Sequence, residues 1–157
     1  MKSCVFIGRF QPFHNGHLMV IKGMAKVCQR VVIVIGSAQE SGTDQNPYTA
    51  EQRKDMIQRT LQTEDLIPKY DIDLRQVDDC EDDGEWAEKV CKQCGEIGTV
   101  WTGDNLVKKC FEEKGVEVKE IKEVPGISGT DIRAKMAAGD ESWKDQVPVD
   151  VKINIGN

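Results

Sequence analysis

Cys4-Val5-Phe6-Ile7-Gly8-Arg9-Phe10-Gln11-Pro12-Phe13-His14-Asn15-Gly16-His17-Leu18 is the stretch that decides the fold. Its first four residues form a short, nearly all-apolar run ending at a glycine, which suits a strand buried on both faces of a parallel sheet. A helical pattern follows. Leu18, Ile21, Ala25 and Cys28 fall on one face of a helix beginning near Gly16. Strand, loop and helix in that order make one unit of a parallel α/β sheet.

The rest of the chain repeats the unit. Val31–Ile35 is a second β-branched run ending at glycine, Gly36, with weaker strand candidates at Tyr70–Val77, Gly98–Trp101 and Val116–Ile121. Thr49 followed by Gln52 reads as a capping box opening a helix through about Leu61. Further helices are expected over Glu85–Cys94, Asn105–Lys114 and Ser128–Ala138, the last stopped by Gly139. The alternation predicts an α/β fold, a single-domain Rossmann-like doubly wound sheet, mainly parallel, over residues 1–157. Ligands of such sheets bind beyond the carboxyl ends of the strands.

Composition narrows the function. Hydrophobic residues at 39% and charged residues at 31% suit a globular protein. No apolar run approaches the ~20 residues of a membrane span, and Cys4–Ile7 is too short for the core of a signal peptide, so a cytoplasmic location is expected. A net charge of −6 argues against a nucleic acid polymer as partner. Anionic ligands must be held by a few local cations and backbone amides. The run Asp78, Asp79, Glu81, Asp82, Asp83 is expected as a solvated loop. The cysteines sit where core residues would, and Cys91 and Cys94 have no second ligand pair for zinc. Ordinary thiols are expected, with no metal held by protein side chains.

Both histidines of the chain, His14 and His17, stand where the first helix should begin. Three residues apart, they can face one side beside the unpaired N–H groups of the first turn, making an anion pocket that Gly16 lets a ligand approach. Far downstream, Ile127-Ser128-Gly129-Thr130-Asp131-Ile132-Arg133 opens another helix. Ser128 is a good N-cap. Hydroxyls, free amides and the Arg133 guanidinium could also converge on phosphate oxygens.

His14-Asn15-Gly16-His17 resembles the HxGH signature of the nucleotidylyltransferases. The longer GRFQPFHNGHL is similar to the archaeal type of nicotinamide mononucleotide adenylyltransferase, and the 127–133 segment resembles the ISxTxxR signature of the same superfamily. The resemblance covers nearly the whole chain. It implies transfer of the adenylyl group of ATP to nicotinamide mononucleotide, giving NAD and pyrophosphate, with Mg2+ carried by ATP and water. It also implies a catalytic role for His14, His17 and Arg133. ATP contacts are implied at Gly8, Arg9, Phe10, Gly16, Gly103, Asp104, Ser128, Gly129 and Thr130. Gly36-Ser37-Ala38-Gln39 and Asn46-Pro47-Tyr48-Thr49-Ala50-Glu51-Gln52-Arg53 match the region that shapes the mononucleotide pocket. Acceptor contacts are therefore implied at Ser37, Ala38, Gln39, Pro47, Tyr48, Thr49, Arg53 and Trp86. Trp86 would stack on the cationic pyridine ring. Trp101 and Trp143 are read as structural.

Two positions depart from the pattern. Gln45 stands where relatives often carry an arginine, and Asp104 where an asparagine is common. Phosphopantetheine, FMN and, with CTP, a phospho-alcohol stay open as acceptors. So do a homo-oligomer and a module that senses NAD or ATP without turnover.

Overall fold

The computed structural model describes residues 2–122 and 124–156. Five strands, β1 (Ser3–Gly8), β2 (Val31–Ile35), β3 (Ile72–Gln76), β4 (Ile97–Thr102) and β5 (Glu117–Glu120), form one sheet in the order β3-β2-β1-β4-β5. Every neighbouring pair is parallel. The helices α1 (Asn15–Val27), α2 (Ala50–Thr63), α3 (Asp83–Cys94), α4 (Asn105–Glu113), α5 (Gly129–Ala137) and α6 (Val149–Ile155) cover both faces, with a 3₁₀ turn at Glu141–Gln146.

Strand alternation builds the two layers. All five residues of β2 are buried, and they point alternately to opposite faces. Phe6, Ile33 and Ile35 join a core with Leu18 and Ile21 of α1, Met56, Ile57 and Leu61 of α2, and Ile132 of α5. Val5, Ile7, Val32, Val34 and Val100 join the other, beneath Ala87 and Val90 of α3 and Phe111 of α4. From β1 the chain steps outward to β2 and β3, then crosses back to β4 and β5 on the other side of β1. That reversal opens a crevice beyond the carboxyl ends of β1 and β4.

Several expectations need correction. Cys4 and Cys28, read as thiols, are joined in a disulfide. A crossover helix runs antiparallel to the strand before it, so the end of α1 returns to the start of β1, and Cys28 caps that end. The Cys91 and Cys94 pair lies in the last turn of α3, and burial foremost pushes the Cys94 thiol up to about 11. Burial thus outweighs the opposing pull of Arg75 and Arg30 and keeps the Cys94 thiol protonated at neutral pH. The 3₁₀ turn and α6 went unanticipated. Their placement comes from packing: Val151 is buried and Asn154 Nδ2 donates to Asp55 Oδ2 of α2 at 2.8 Å. No helix among the described residues is long and apolar enough to cross a membrane.

Candidate active site

The two histidines build the start of α1. His14 has extended backbone, and its Nδ1 accepts from the amides of Gly16 at 3.1 Å and His17 at 3.3 Å. His17 Nδ1 accepts in return from the His14 amide at 3.1 Å. This is a capping box made of imidazoles rather than a hydroxyl and a carboxylate. It also settles the tautomer: with both Nδ1 atoms accepting, each ring carries its proton on Nε2. The rings stack with centroids 3.5 Å apart, and Phe13 stacks on His17 at 5.6 Å. Burial lowers His14 to about 4, and burial followed by the charge of His14 holds His17 well below its ordinary value. At neutral pH the site therefore presents two neutral N–H donors.

At α5, Ser128 caps the helix by accepting from the Asp131 amide at 3.1 Å. Its hydroxyl is thus engaged with its own helix, while Gly129 and Thr130 occupy the first turn, where amides lack helical partners. Arg133 reaches across from this helix: Nη1 donates to the Gln11 carbonyl at 2.7 Å and Nη2 to Thr130 Oγ1 at 3.4 Å. A Cβ on residue 129 would lie 2.9 Å from Arg133 Nη1, so only glycine allows the guanidinium this close. Burial, then Arg9 nearby, lowers the pKa of Arg133.

These helix openings line one cavity of about 420 Å³. Gly8, Arg9, Phe10, His14, Gly16 and His17 enter from the β1–α1 junction, Gly103 and Asp104 from the end of β4, and Ser128, Gly129, Thr130 and Arg133 from α5. Gln45 also lines it, and so does Lys122, a cation that sequence reading did not single out. Lys54, near the start of α2, does not line it.

A second cavity of about 430 Å³ adjoins the first, sharing Ile7, Gly8, Arg9 and Asp104. Ser37 and Trp86 line it. Trp86 packs edge-on against Phe111 at 5.9 Å and remains half-buried. Asp79, Asp83, Cys80 and Cys110 are there too. Asp79 is exposed, as expected of the acidic run, and also hydrogen-bonded: it accepts from Ser37 Oγ at 3.0 Å and Gln39 Nε2 at 2.9 Å, while Asp82 caps α3. Asp104 caps α4 through Oδ1, accepting from the amides of Leu106 and Val107.

Six of the residues expected at the acceptor line neither cavity. The Ala38 amide donates to the Val77 carbonyl, Gln39 clasps Asp79, and Pro47 lies in the loop before α2. The Tyr48 backbone pairs with the Gln11 side chain, and Thr49 caps α2. Arg53 is the clearest correction. It is fully buried, and it donates to the carbonyls of Thr49, Arg9, Gly36, Ser37 and Glu40 at 2.8–3.3 Å. No donor is left to face a ligand. Phe10 and Ser37, just after β1 and β2, hold left-handed backbone at φ 55° and 47°. Such conformations cost non-glycine residues about 1–2 kcal/mol. Arg53 grips the carbonyl beside one and the carbonyl of the other.

The fold and cavity define a nucleotide-handling α/β protein, and comparison with known proteins agrees. The cytidylyltransferase-like family model matches residues 5–135. The chain is 40% identical over 151 residues to nicotinamide-nucleotide adenylyltransferase of Methanococcus maripaludis (strain C5), covering 92% of this chain and 83% of that one. It is 39% identical over 149 residues to the enzyme of that name from Thermoplasma acidophilum, covering 94% and 81%. The chain therefore belongs to the cytidylyltransferase-like family, among relatives that bear the name nicotinamide-nucleotide adenylyltransferase. In structure it resembles a bifunctional NMN adenylyltransferase/ADP ribose pyrophosphatase from Francisella tularensis, complexed with AMP and a manganese ion. The TM-score is 0.75 at 27% identity, over 96% of this chain and 46% of that one. The chain thus spans under half of that protein.

Proposed function

We propose that this chain transfers the adenylyl group of ATP to nicotinamide mononucleotide, releasing pyrophosphate and forming NAD. The observation that carries the reading is two helix starts, α1 and α5, lining one cavity that shares Gly8, Arg9 and Asp104 with another lined by Trp86.

ATP occupies the first cavity, with its phosphates against the amides of α1 and α5 and its nucleoside end near Gly103 and Asp104. Nicotinamide mononucleotide occupies the second, its ring against Trp86 and its 5′-phosphate toward Arg9. An oxygen of that phosphate attacks the α-phosphorus in line. The new P–O bond forms as the bond to the bridging oxygen breaks, and pyrophosphate leaves with the electron pair. No protein nucleophile is required, because the attacking phosphate is already ionised near neutral pH.

Catalysis then rests on alignment and on donors aimed at developing charge. His14 and His17 donate from Nε2, and Arg133 adds a cation held by Gln11. Anchoring through Nδ1 leaves little reorganisation for these rings at the moment of reaction.

The residues fit a divalent cation carried by the nucleotide. Asp104 is the only carboxylate lining the first cavity among the described residues, and it caps α4. No group of three His, Cys, Asp or Glu among them is arranged to hold a metal. Bound through phosphate oxygens and water, Mg2+ would neutralise charge on the phosphates. We assign a cytoplasmic setting, with residues 1–157 acting as one nucleotidylyltransferase domain.

The test is pyrophosphate release from ATP and Mg2+ with nicotinamide mononucleotide, phosphopantetheine, FMN and a phospho-alcohol in turn. Release with the first alone is expected. Faster release with another acceptor would move the assignment there, and tight nucleotide binding with no release would make the chain a sensor.

A further inference from the structure

We infer that the second cavity rejects a carboxylate on the pyridine ring, with Asp83, supported by Asp79, setting a preference for nicotinamide over nicotinic acid mononucleotide. This rests on the adenylyl-transfer reading and deepens it at the acceptor.

Charge in the cavity is lopsided. Three carboxylates line it, Asp79, Asp83 and Asp104, against one cation, Arg9. Arg9 also lines the triphosphate cavity, so it stands where the acceptor phosphate meets ATP. Among the described residues no second cation lines the cavity to serve the ring end that Trp86 marks. Asp83 precedes Trp86 by three residues in the first turn of α3, a spacing that puts both on one side of the helix, and both line the cavity.

The two oxygens of Asp79 accept from Ser37 Oγ and Gln39 Nε2, both neutral donors. Neither Asp79 nor Asp83 takes part in any of the eight ion pairs among the described residues. The N-terminus of α3 adds positive potential, but the N-cap Asp82 and the first-turn residues Asp83 and Glu85 offset it. The Gly84 amide is already given to Asp82 Oδ1.

Nicotinamide and nicotinic acid mononucleotides share a cationic ring and differ in one group. A neutral carboxamide leaves the ring attracted by Asp83 and Asp79. A carboxylate places a third negative charge beside two others, in a cavity whose one lining cation, Arg9, is assigned to the acceptor phosphate. It must then lose solvation uncompensated or take up a proton, and either weakens binding.

Steady-state kinetics with ATP and Mg2+ test this on the wild type, Asp83→Asn and Asp83→Lys. Asp83 is exposed, so both variants should fold, which thermal unfolding checks. We expect the wild type to favour nicotinamide mononucleotide by about tenfold or more in kcat/KM. The ratio should fall severalfold in Asp83→Asn and further in Asp83→Lys, through the acceptor KM rather than that of ATP. Equal use of the two acceptors by the wild type, or a ratio unmoved in both variants, overturns the inference and leaves adenylyl transfer standing. Pyrophosphate release with neither acceptor would instead remove the transfer reading itself, and the inference with it.

Discussion

Arg133 Nη1 donates to the carbonyl oxygen of Gln11 at 2.7 Å, joining two helix starts that lie 122 residues apart in sequence. The contact holds the guanidinium against the first cavity, which Arg133 lines, and Gly129 is what admits it. Gly129→Ala places a methyl group 2.9 Å from Nη1, and the arginine must swing away. We expect kcat to fall about tenfold or more with only a small loss of stability. A Gly129→Ala enzyme of normal kcat would show that the position of Arg133 does not matter to turnover.

His17 has two separable roles, and mutation distinguishes them. Its Nδ1 accepts from the His14 amide, while its Nε2–H is the donor proposed to face the reacting phosphates. His17→Ala removes both. Loss of a cap costs about 1 kcal/mol of stability, which most domains survive. Turnover should fall by at least about a hundredfold. Near-normal turnover in a folded variant, checked by circular dichroism, would defeat the assignment.

Stability should respond to pH through the same pair. His14 titrates at about 4 in the folded chain against an ordinary 6.5, so between those values the unfolded chain binds more protons. Its contribution is present in full above about pH 6.5 and is lost as pH falls toward 4. The shift corresponds to about 3 kcal/mol at most. His17 acts in the same direction. Urea unfolding from pH 7 to pH 4 should therefore show a steeper loss in the wild type than in His14→Gln. Parallel curves would mean that the buried imidazole is not what the fold protects from protonation. Bound ATP should oppose the loss, because phosphate oxygens favour the protonated ring.

Much of this was legible in the sequence, and the limits have physical causes. Buried parallel strands announce themselves as β-branched runs ending at glycine, so β1 and β2 stand out at Cys4–Ile7 and Val31–Ile35. The edge strand β5, mostly exposed, does so only weakly. Helix starts are local chemistry, and Thr49, Ser128 and the two histidines mark them. What sequence reading missed depends on three-dimensional return of the chain. The pairing of Cys4 with Cys28 follows from α1 running back along β1. The short α6 carries too few residues for a period to show. Lys122 and Asp79 enter the cavities because the sheet places the ends of β5 and β3 beside those of β4 and β2. Arg53 misleads for a different reason. An arginine near the start of a capped helix looks exposed, and nothing local reveals five carbonyls around it.

Arg53 therefore yields the sharpest test of positioning against contact. A guanidinium spreads donors over five carbonyls from three segments of chain, and no other side chain has that reach. Arg53→Met leaves buried carbonyls without partners and should cost about 3–5 kcal/mol, read as a lower midpoint in urea. Arg53→Lys keeps the charge but not the fork, and should be intermediate. Kinetics of the folded fraction give the decisive readout. Arg53 holds the Arg9 carbonyl, beside residues shared by both cavities, and that of Ser37, in the second. Its loss should raise KM for ATP and for the mononucleotide together, with Arg53→Lys restoring part of each. A rise confined to the mononucleotide would return Arg53 to direct acceptor contact. The left-handed turns at Phe10 and Ser37 would then need another support.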